Sequence, residues 1–211
     1  MQERLLDIAV REFGRHGLEG ASTRSIAAAA GAAMSSITYH YGGKEGLYLA
    51  AADHIAKQIA AEMGPVFEAA KDVGRDDPIA ARAALHAIVA QFIDRIARPE
   101  SADKSLFIVR EQMHPTEAFE RIYAGLMGNM MERMAALVAA ATAMDDNFRA
   151  KLVTMTIFGQ VIVLRSSRAS CLRLLGHDEF GPNLVAELKR QISANIDAVL
   201  NNLASFAQER P

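Results

Sequence analysis

A chain of 211 residues, about half of them hydrophobic, can bury a sizeable core as one large domain or as a small domain fused to a larger one. A net charge of −2 and a pI near 6.3 argue against a protein that holds nucleic acid by bulk basicity. The single Cys171 excludes a disulfide framework, and without a Cys or His cluster neither a structural metal nor a cofactor is expected. The N-terminal MQERLLDIAVREFGRHG is charged and amphipathic, with no apolar signal core. The longest apolar run, Thr154 to Leu164, is too short to span a bilayer. The expectation is a soluble, cytoplasmic protein with no membrane partner.

In chain order, Leu5, Ile8, Ala9, Glu12 and Phe13 recur at helical spacing over residues 2–16, and Gly17 suits the position just past the helix end. Ser22 or Thr23 can cap a second helix that runs to Ala30. Gly31 opens a turn, a short third helix covers roughly 35–41, and Gly42-Gly43 end it. A fourth helix starts near Lys44 and runs to about Met63, where Gly64-Pro65 interrupts or kinks it. Longer helices follow over about 78–97, 102–113, 116–141, 147–174 and 182–207, and no alternating strand pattern or internal repeat is present. The fold class is therefore all-α. A small N-terminal head of short helices, over 1–47, precedes a larger helical body over 48–211.

The segment 31–41 makes poor helix and poor core. Two short helices joined by a tight Gly turn form a helix-turn-helix, whose second helix enters the DNA major groove. Ala27 is small enough for a close crossing, and Ile26, Ile37 and Tyr41 can face inward. Ser35 and Tyr39 then point outward, flanked by Ser36 and Thr38. Hydroxyls on that face can bond base edges or phosphates, and the Thr38 methyl can touch a thymine methyl. Tyr39, His40 and Lys44 suit phosphate oxygens. No Asp or Glu occurs between Glu19 and Glu45, which spares a polyanion repulsion, although 147–177 is acid-free as well. Arg4, Arg11, Arg15, Arg24 and Lys44 are balanced by Glu3, Asp7, Glu12, Glu19 and Glu45, so affinity has to come from local placement. The same pattern also fits an Ala-rich helical hairpin with solvated hydroxyls.

The stretch ASTRSIAAAAGAAMSSITYHYGGKEGLYLA resembles the DNA-binding head of TetR-family transcriptional repressors. It has the Thr-start helix, the Gly turn, a short recognition helix ending in Tyr39-His40-Tyr41, and Lys44-Glu45-Gly46-Leu47; the likeness covers about residues 3–50. The resemblance implies contacts to phosphate or a base edge from Thr23 and Arg24. It implies recognition positions at Met34, Ser35, Ser36 and Thr38, and phosphate contacts from Tyr39, His40 and Lys44. Thr38 stands where many members carry Tyr, so base preference does not carry over. A second stretch, SLFIVREQMHPTEAFERIY (Ser105 to Tyr123), resembles the C-terminal domain of the CecR-like branch.

The resemblance further implies a homodimer built from the last two helices, here 147–174 and 182–207, and a small-molecule pocket in the middle of the body. Leu184, Leu188, Ile192, Ile196, Val199 and Leu203 form an apolar stripe suited to a partner or to the chain's own core. Met113, Phe119, Tyr123, Met127, Met130, Met134, Met155 and Phe158 can line a permissive, largely apolar site or serve as plain core. Arg110, Glu111, Gln160 and Arg165 sit in largely apolar segments, and a buried charge needs a partner. Arg110 or Arg165 can hold an anionic ligand, pair with Glu111 or bridge subunits.

An enzyme is the main competing class. Glu111-Gln112-Met113-His114 has the Glu-x-x-His spacing of di-iron bundles, but none of the other His residues, at 16, 40, 54, 86 and 177, follows a Glu by three. Cys171 and Ser166-Ser167 have no activating partner in the pattern. No catalytic residue is expected. The reading is a DNA-binding transcriptional regulator, a ligand-responsive repressor that binds a palindromic double-stranded operator as a homodimer. The alternative is a helical small-molecule-binding protein without DNA-binding activity, which would lack the steep salt dependence of a phosphate-contacting protein.

Overall fold

The computed structural model describes residues 2–208, and from 205 onward the backbone alone. Among the described residues all regular elements are helical. They are α1 (Gln2–Gly20), α2 (Thr23–Ala30), α3 (Met34–Tyr41), α4 (Lys44–Ala69), α5 (Pro78–Ala97), α6 (Ala102–Met113), α7 (Glu117–Ile122), α8 (Gly128–Thr142), α9 (Asn147–Ser166), α10 (Arg168–Leu175) and α11 (Pro182–Gln208). A 3₁₀ turn (Pro99–Ser101) precedes α6, and a π-helical segment (Tyr123–Met127) joins α7 to α8. Among the described residues no helix is long and apolar enough to cross a membrane.

The chain forms two compact units, Met1–Ala61 with Glu100–Gly128, and Glu62–Pro99 with Asn129–Pro211. These units follow contacts rather than the sequence-based division at 47/48. Residues 100–128 join the head because α1 lies tightly along α6. A Cβ at Gly14 would stand 3.0 Å from the Asp103 carbonyl oxygen and 3.2 Å from the Phe107 nitrogen. At Gly17 the backbone turns to φ 71°, ψ 177°, and α1 kinks there before a last short turn to Gly20.

In the first unit Phe13, Ile26, Ile37 and Leu47 are wholly buried. Each contributes about 1.5–3 kcal/mol by leaving water. The Tyr48 ring sits edge-on to Phe13 at 4.9 Å between centroids and stacks on Phe107 at 4.7 Å. In the second unit α5 packs against α9 and α11 through buried faces that include Leu85, Ile88, Phe92, Ile157, Val161, Ile192 and Ile196. Polar groups tie the same helices: Asp197 accepts from Arg82 and His86 at 2.9 Å each, and Lys189 pairs with Asp94 at 2.6 Å.

Three boundaries differ from the sequence expectation. Helix α4 continues through Gly64-Pro65 to Ala69 rather than ending near Met63. Proline removes one donor from the ladder, and the neighbouring turns keep theirs. The expected helix over 116–141 spans the right residues but widens at Tyr123–Met127, where the Gly128 N–H reaches back five residues to the Tyr123 carbonyl. The expected helix over 147–174 breaks at Ser167 (φ −122°, ψ 31°) into α9 and α10. Ser166 Oγ donates to the Ile162 carbonyl there, the competition with backbone bonding that makes Ser a weak helix interior.

Candidate nucleic-acid interface

Helix α2 starts on Ser22, whose Oγ accepts from the Ser25 N–H at 3.4 Å. It ends on Gly31 at φ 68°, ψ 29°, a left-handed conformation open to glycine without strain. The Gly31 N–H bonds the Ala28 carbonyl, and the Ala32 N–H reaches the Ala27 carbonyl at 2.9 Å, closing a Schellman-type end. Ala27, mid-way along α2, is buried, so α3 can cross close to α2. Helix α3 is anchored by Ile37, its one buried residue. Gly46 holds the next joint, because a Cβ there would stand 1.7 Å from the Tyr41 carbonyl oxygen.

With Ile37 turned inward, the other face of α3 meets solvent. Met34, Ser35, Thr38, Tyr39 and His40 are exposed, Tyr39 by 85 %, and Ser36 is half-buried beside them. The Tyr39 and His40 rings meet edge to face at 5.0 Å, which holds the two side chains side by side. Thr23 is half-buried and Arg24 exposed in the first turn of α2, where free N–H groups and the helix dipole favour an anion. Lys44 Nζ donates to the Glu19 carbonyl at 2.8 Å, so it bridges the end of α1 to the start of α4. Two further donors of the lysine ammonium remain for an oxygen outside the protein. Thus Thr38, Ser35 and Tyr39 share one exposed face, while Thr23, Arg24 and Lys44 stand on neighbouring helix starts.

The nine residues read as ligand contacts fall in both units. In the first, the Phe119 and Tyr123 rings stack at 5.7 Å, Met127 is half-buried, and Met113 is 70 % exposed. Arg110 does not pair with Glu111. Its Nη2 donates to the Gly14 and Arg15 carbonyls at 3.4 and 3.2 Å, and its guanidinium lies against Gly17, where a Cβ would meet Nη1 at 3.0 Å. In the second unit Met130 is buried, Arg165 is half-buried, and Phe158, also half-buried, meets the Phe92 ring edge-on at 5.5 Å. Met155 is 62 % exposed on the outer side of α9.

Two buried polar sites take partners that the sequence does not name. In the first unit the Tyr48 hydroxyl donates to Glu111 Oε1, and Glu111 Oε2 accepts from the Thr116 N–H at 3.1 Å and Thr116 Oγ1 at 2.8 Å. Glu111 is thus the anchor between α4, α6 and the start of α7. Burial, then the hydrogen bond and charge of Glu111, push the Tyr48 phenol above its ordinary pKa. In the second unit Arg95 is buried beside Glu62. Its signal was present: Ile88, Phe92 and Arg95 follow one another at helical spacing, which places a cation on the apolar face of α5.

Residues 5–51 match the model for bacterial regulatory proteins of the tetR family, and residues 81–203 match that for the C-terminal domain of the HTH-type transcriptional dual regulator CecR. The chain is 30 % identical over 208 residues to the HTH-type transcriptional dual regulator CecR of Shigella flexneri, covering 96 % of this chain and 92 % of that protein. Among solved structures, a transcriptional regulator from Pseudomonas aeruginosa PAO1 superposes with a TM-score of 0.72 at 19 % identity, over 96 % of this chain and 91 % of its own. AibR, solved in complex with isovaleryl coenzyme A and operator DNA, superposes with a TM-score of 0.69 at 15 % identity, over 93 % of this chain and 98 % of its own.

Proposed function

Because this chain belongs to the TetR family of bacterial transcription regulators and carries a CecR-type C-terminal domain, we propose that it is a homodimeric, ligand-responsive repressor of a palindromic operator. As a member of that family it is a DNA-binding regulator and not an enzyme. The observation that carries the proposal is the face of α3: hydroxyls and aromatic side chains exposed around one buried anchor, Ile37. Ser35 and Thr38 read base edges. Thr23, Arg24, Tyr39, His40 and Lys44 hold phosphates and fix the register, and Met34 and Ser36 complete the reading surface.

Residues 1–47 serve DNA and residues 48–211 serve ligand and partner, in the cytoplasm. Helices α9 and α11 form the dimer. Support comes from the solvent side of α9, where Phe148, Leu152, Met155, Gly159 and Ile162 recur at helical spacing and remain exposed in the single chain. So long an apolar stripe marks an interface. A two-fold dimer then presents two α3 helices to inverted half-sites one helical turn apart. The effector is a small, largely apolar molecule held by the body; that AibR was solved with isovaleryl coenzyme A supports effector binding in a protein of this fold. Effector binding tilts α4, which begins beside α3 and runs on past Gly64-Pro65, and so changes the spacing of the heads. Footprinting on the DNA upstream of the protein's own gene tests this: two inverted protected half-sites, released by effector, support it, and no salt-sensitive protection overturns it.

A further inference from the structure

Arg95 is the most deeply buried cation among the described residues, 6 % exposed, yet its hydrogen-bonding is incomplete. Its Nε lies 3.0 Å from Glu62 Oε2, but the approach is off-axis, and neither Nε nor Nη2 makes a hydrogen bond. A buried guanidinium with unmet donors is costly, so an acceptor of matching shape has much to gain there. The Nε and Nη2 donors lie side by side on one edge of the plane, the fork that accepts both oxygens of a carboxylate. Arg98 stands one turn further along, near enough for its charge to act on Arg95. Burial lowers the Arg95 pKa from its ordinary value and Glu62 opposes that fall.

The surroundings give the ligand a body as well as a charge. Phe92 precedes Arg95 by three residues on the same buried face of α5, and its ring carries the half-buried ring of Phe158. The Glu62 side chain is 30 % exposed, so the pair opens to solvent on that side. Glu62 is also placed on α4, and Gln91 Nε2 donates to its backbone carbonyl at 3.3 Å.

We propose that Arg95 is the receptor for an apolar carboxylate, whose two oxygens displace the off-axis Glu62 carboxylate from the Nε–Nη2 fork while its chain lies toward Phe92 and Phe158. The effector competes with an internal carboxylate. Its binding therefore loosens α4 from α5 at Glu62, on the helix that starts beside α3. This rests on the ligand-responsive reading above and names the chemical class of ligand.

The test is titration calorimetry of the full-length protein, without DNA, using the straight-chain carboxylates from butyrate to decanoate and their primary amides. Carboxylates should bind more than about tenfold tighter than the amides, the worth of a charge-assisted pair. Glu62→Gln removes the competitor and should tighten carboxylate binding about tenfold while leaving the amides unchanged. Arg95→Met should erase the preference. If it does not fold, Arg95→Lys keeps the charge, loses the fork and should weaken binding about tenfold. Equal affinity for acid and amide at every chain length, or no gain in Glu62→Gln, overturns the site and leaves an ordinary buried ion pair. Operator binding measured in parallel separates the two ideas. Its absence in the wild type overturns the regulator reading, whereas intact operator binding with indifference to carboxylates overturns this site alone.

Discussion

At the residue scale, Ile37 decides what α3 can do. It is buried without remainder, and the helical period then sends Ser35, Thr38 and Tyr39 outward. Reading and anchoring are separable by substitution. Thr38→Ala should relax discrimination at one base pair by about 1–3 kcal/mol, measured by competition between operator variants. Lys44→Ala should weaken all sequences alike and flatten the salt slope by about one unit. If Lys44→Ala altered base preference and Thr38→Ala did not, the roles would be reversed. Glu111 is the second decisive residue. Tyr48→Phe leaves Glu111 Oε1 buried without its donor and should cost roughly 1–3 kcal/mol in urea melts. The Tyr48 phenol has a raised folded pKa, so its contribution is complete below the ordinary value of 10.0 and is lost as pH rises beyond it. The wild type should therefore lose stability above that pH more steeply than Tyr48→Phe.

At the element scale, the joints between helices are fixed by what has no room. Gly46→Ala would place its Cβ 1.7 Å from the Tyr41 carbonyl oxygen, and backbone cannot yield cheaply. The joint between α3 and α4 should open, with a loss of about 3 kcal/mol in urea denaturation and loss of operator binding. Between α5 and α11 the tie is Asp197. Burial pushes its carboxyl up, but the hydrogen bonds and charges of His86 and Arg82 outweigh burial and hold it below the ordinary 3.8. Its contribution is present above that pH and lost as pH falls through the lower folded value. Asp197→Asn should flatten the acid limb of the stability profile between about pH 5 and 2, and an unchanged limb would contradict the tie.

The same scale explains what the sequence could and could not tell. Local chemistry was legible: Ser22 caps α2, Gly31 ends it, Ile37 anchors α3, and α5 and α6 run over the expected residues. The remaining features depend on partners far along the chain or on backbone that no pattern marks. Gly14 packs against Phe107, and Arg110 turns to the kink at Gly17, joining residues more than ninety apart and drawing α6 to the head. The π-helical segment at Tyr123–Met127 keeps the outward and inward spacing of a normal helix close enough to hide in periodicity. Arg110 is a cation in an apolar run, and the run alone does not say which acceptors it takes. Arg95 stands in another such run, on the buried face of α5.

At the scale of the whole molecule, one fact organises the account. Phe148, Leu152, Met155, Gly159 and Ile162 form an exposed apolar stripe along α9, on a protein whose family binds DNA. A single polar change on that stripe, Met155→Glu, should leave the monomer folded, because Met155 is 62 % exposed, and should shift sedimentation toward monomer. Sedimentation of the wild-type protein on a footprinted operator fragment, with Met155→Glu run beside it, decides whether two copies read the operator together. Two copies of the chain per fragment, two inverted protected half-sites about 10 base pairs apart, and loss of both in the variant are expected. A single copy protecting one unsymmetric site, or a variant that protects both half-sites as the wild type does, would contradict this.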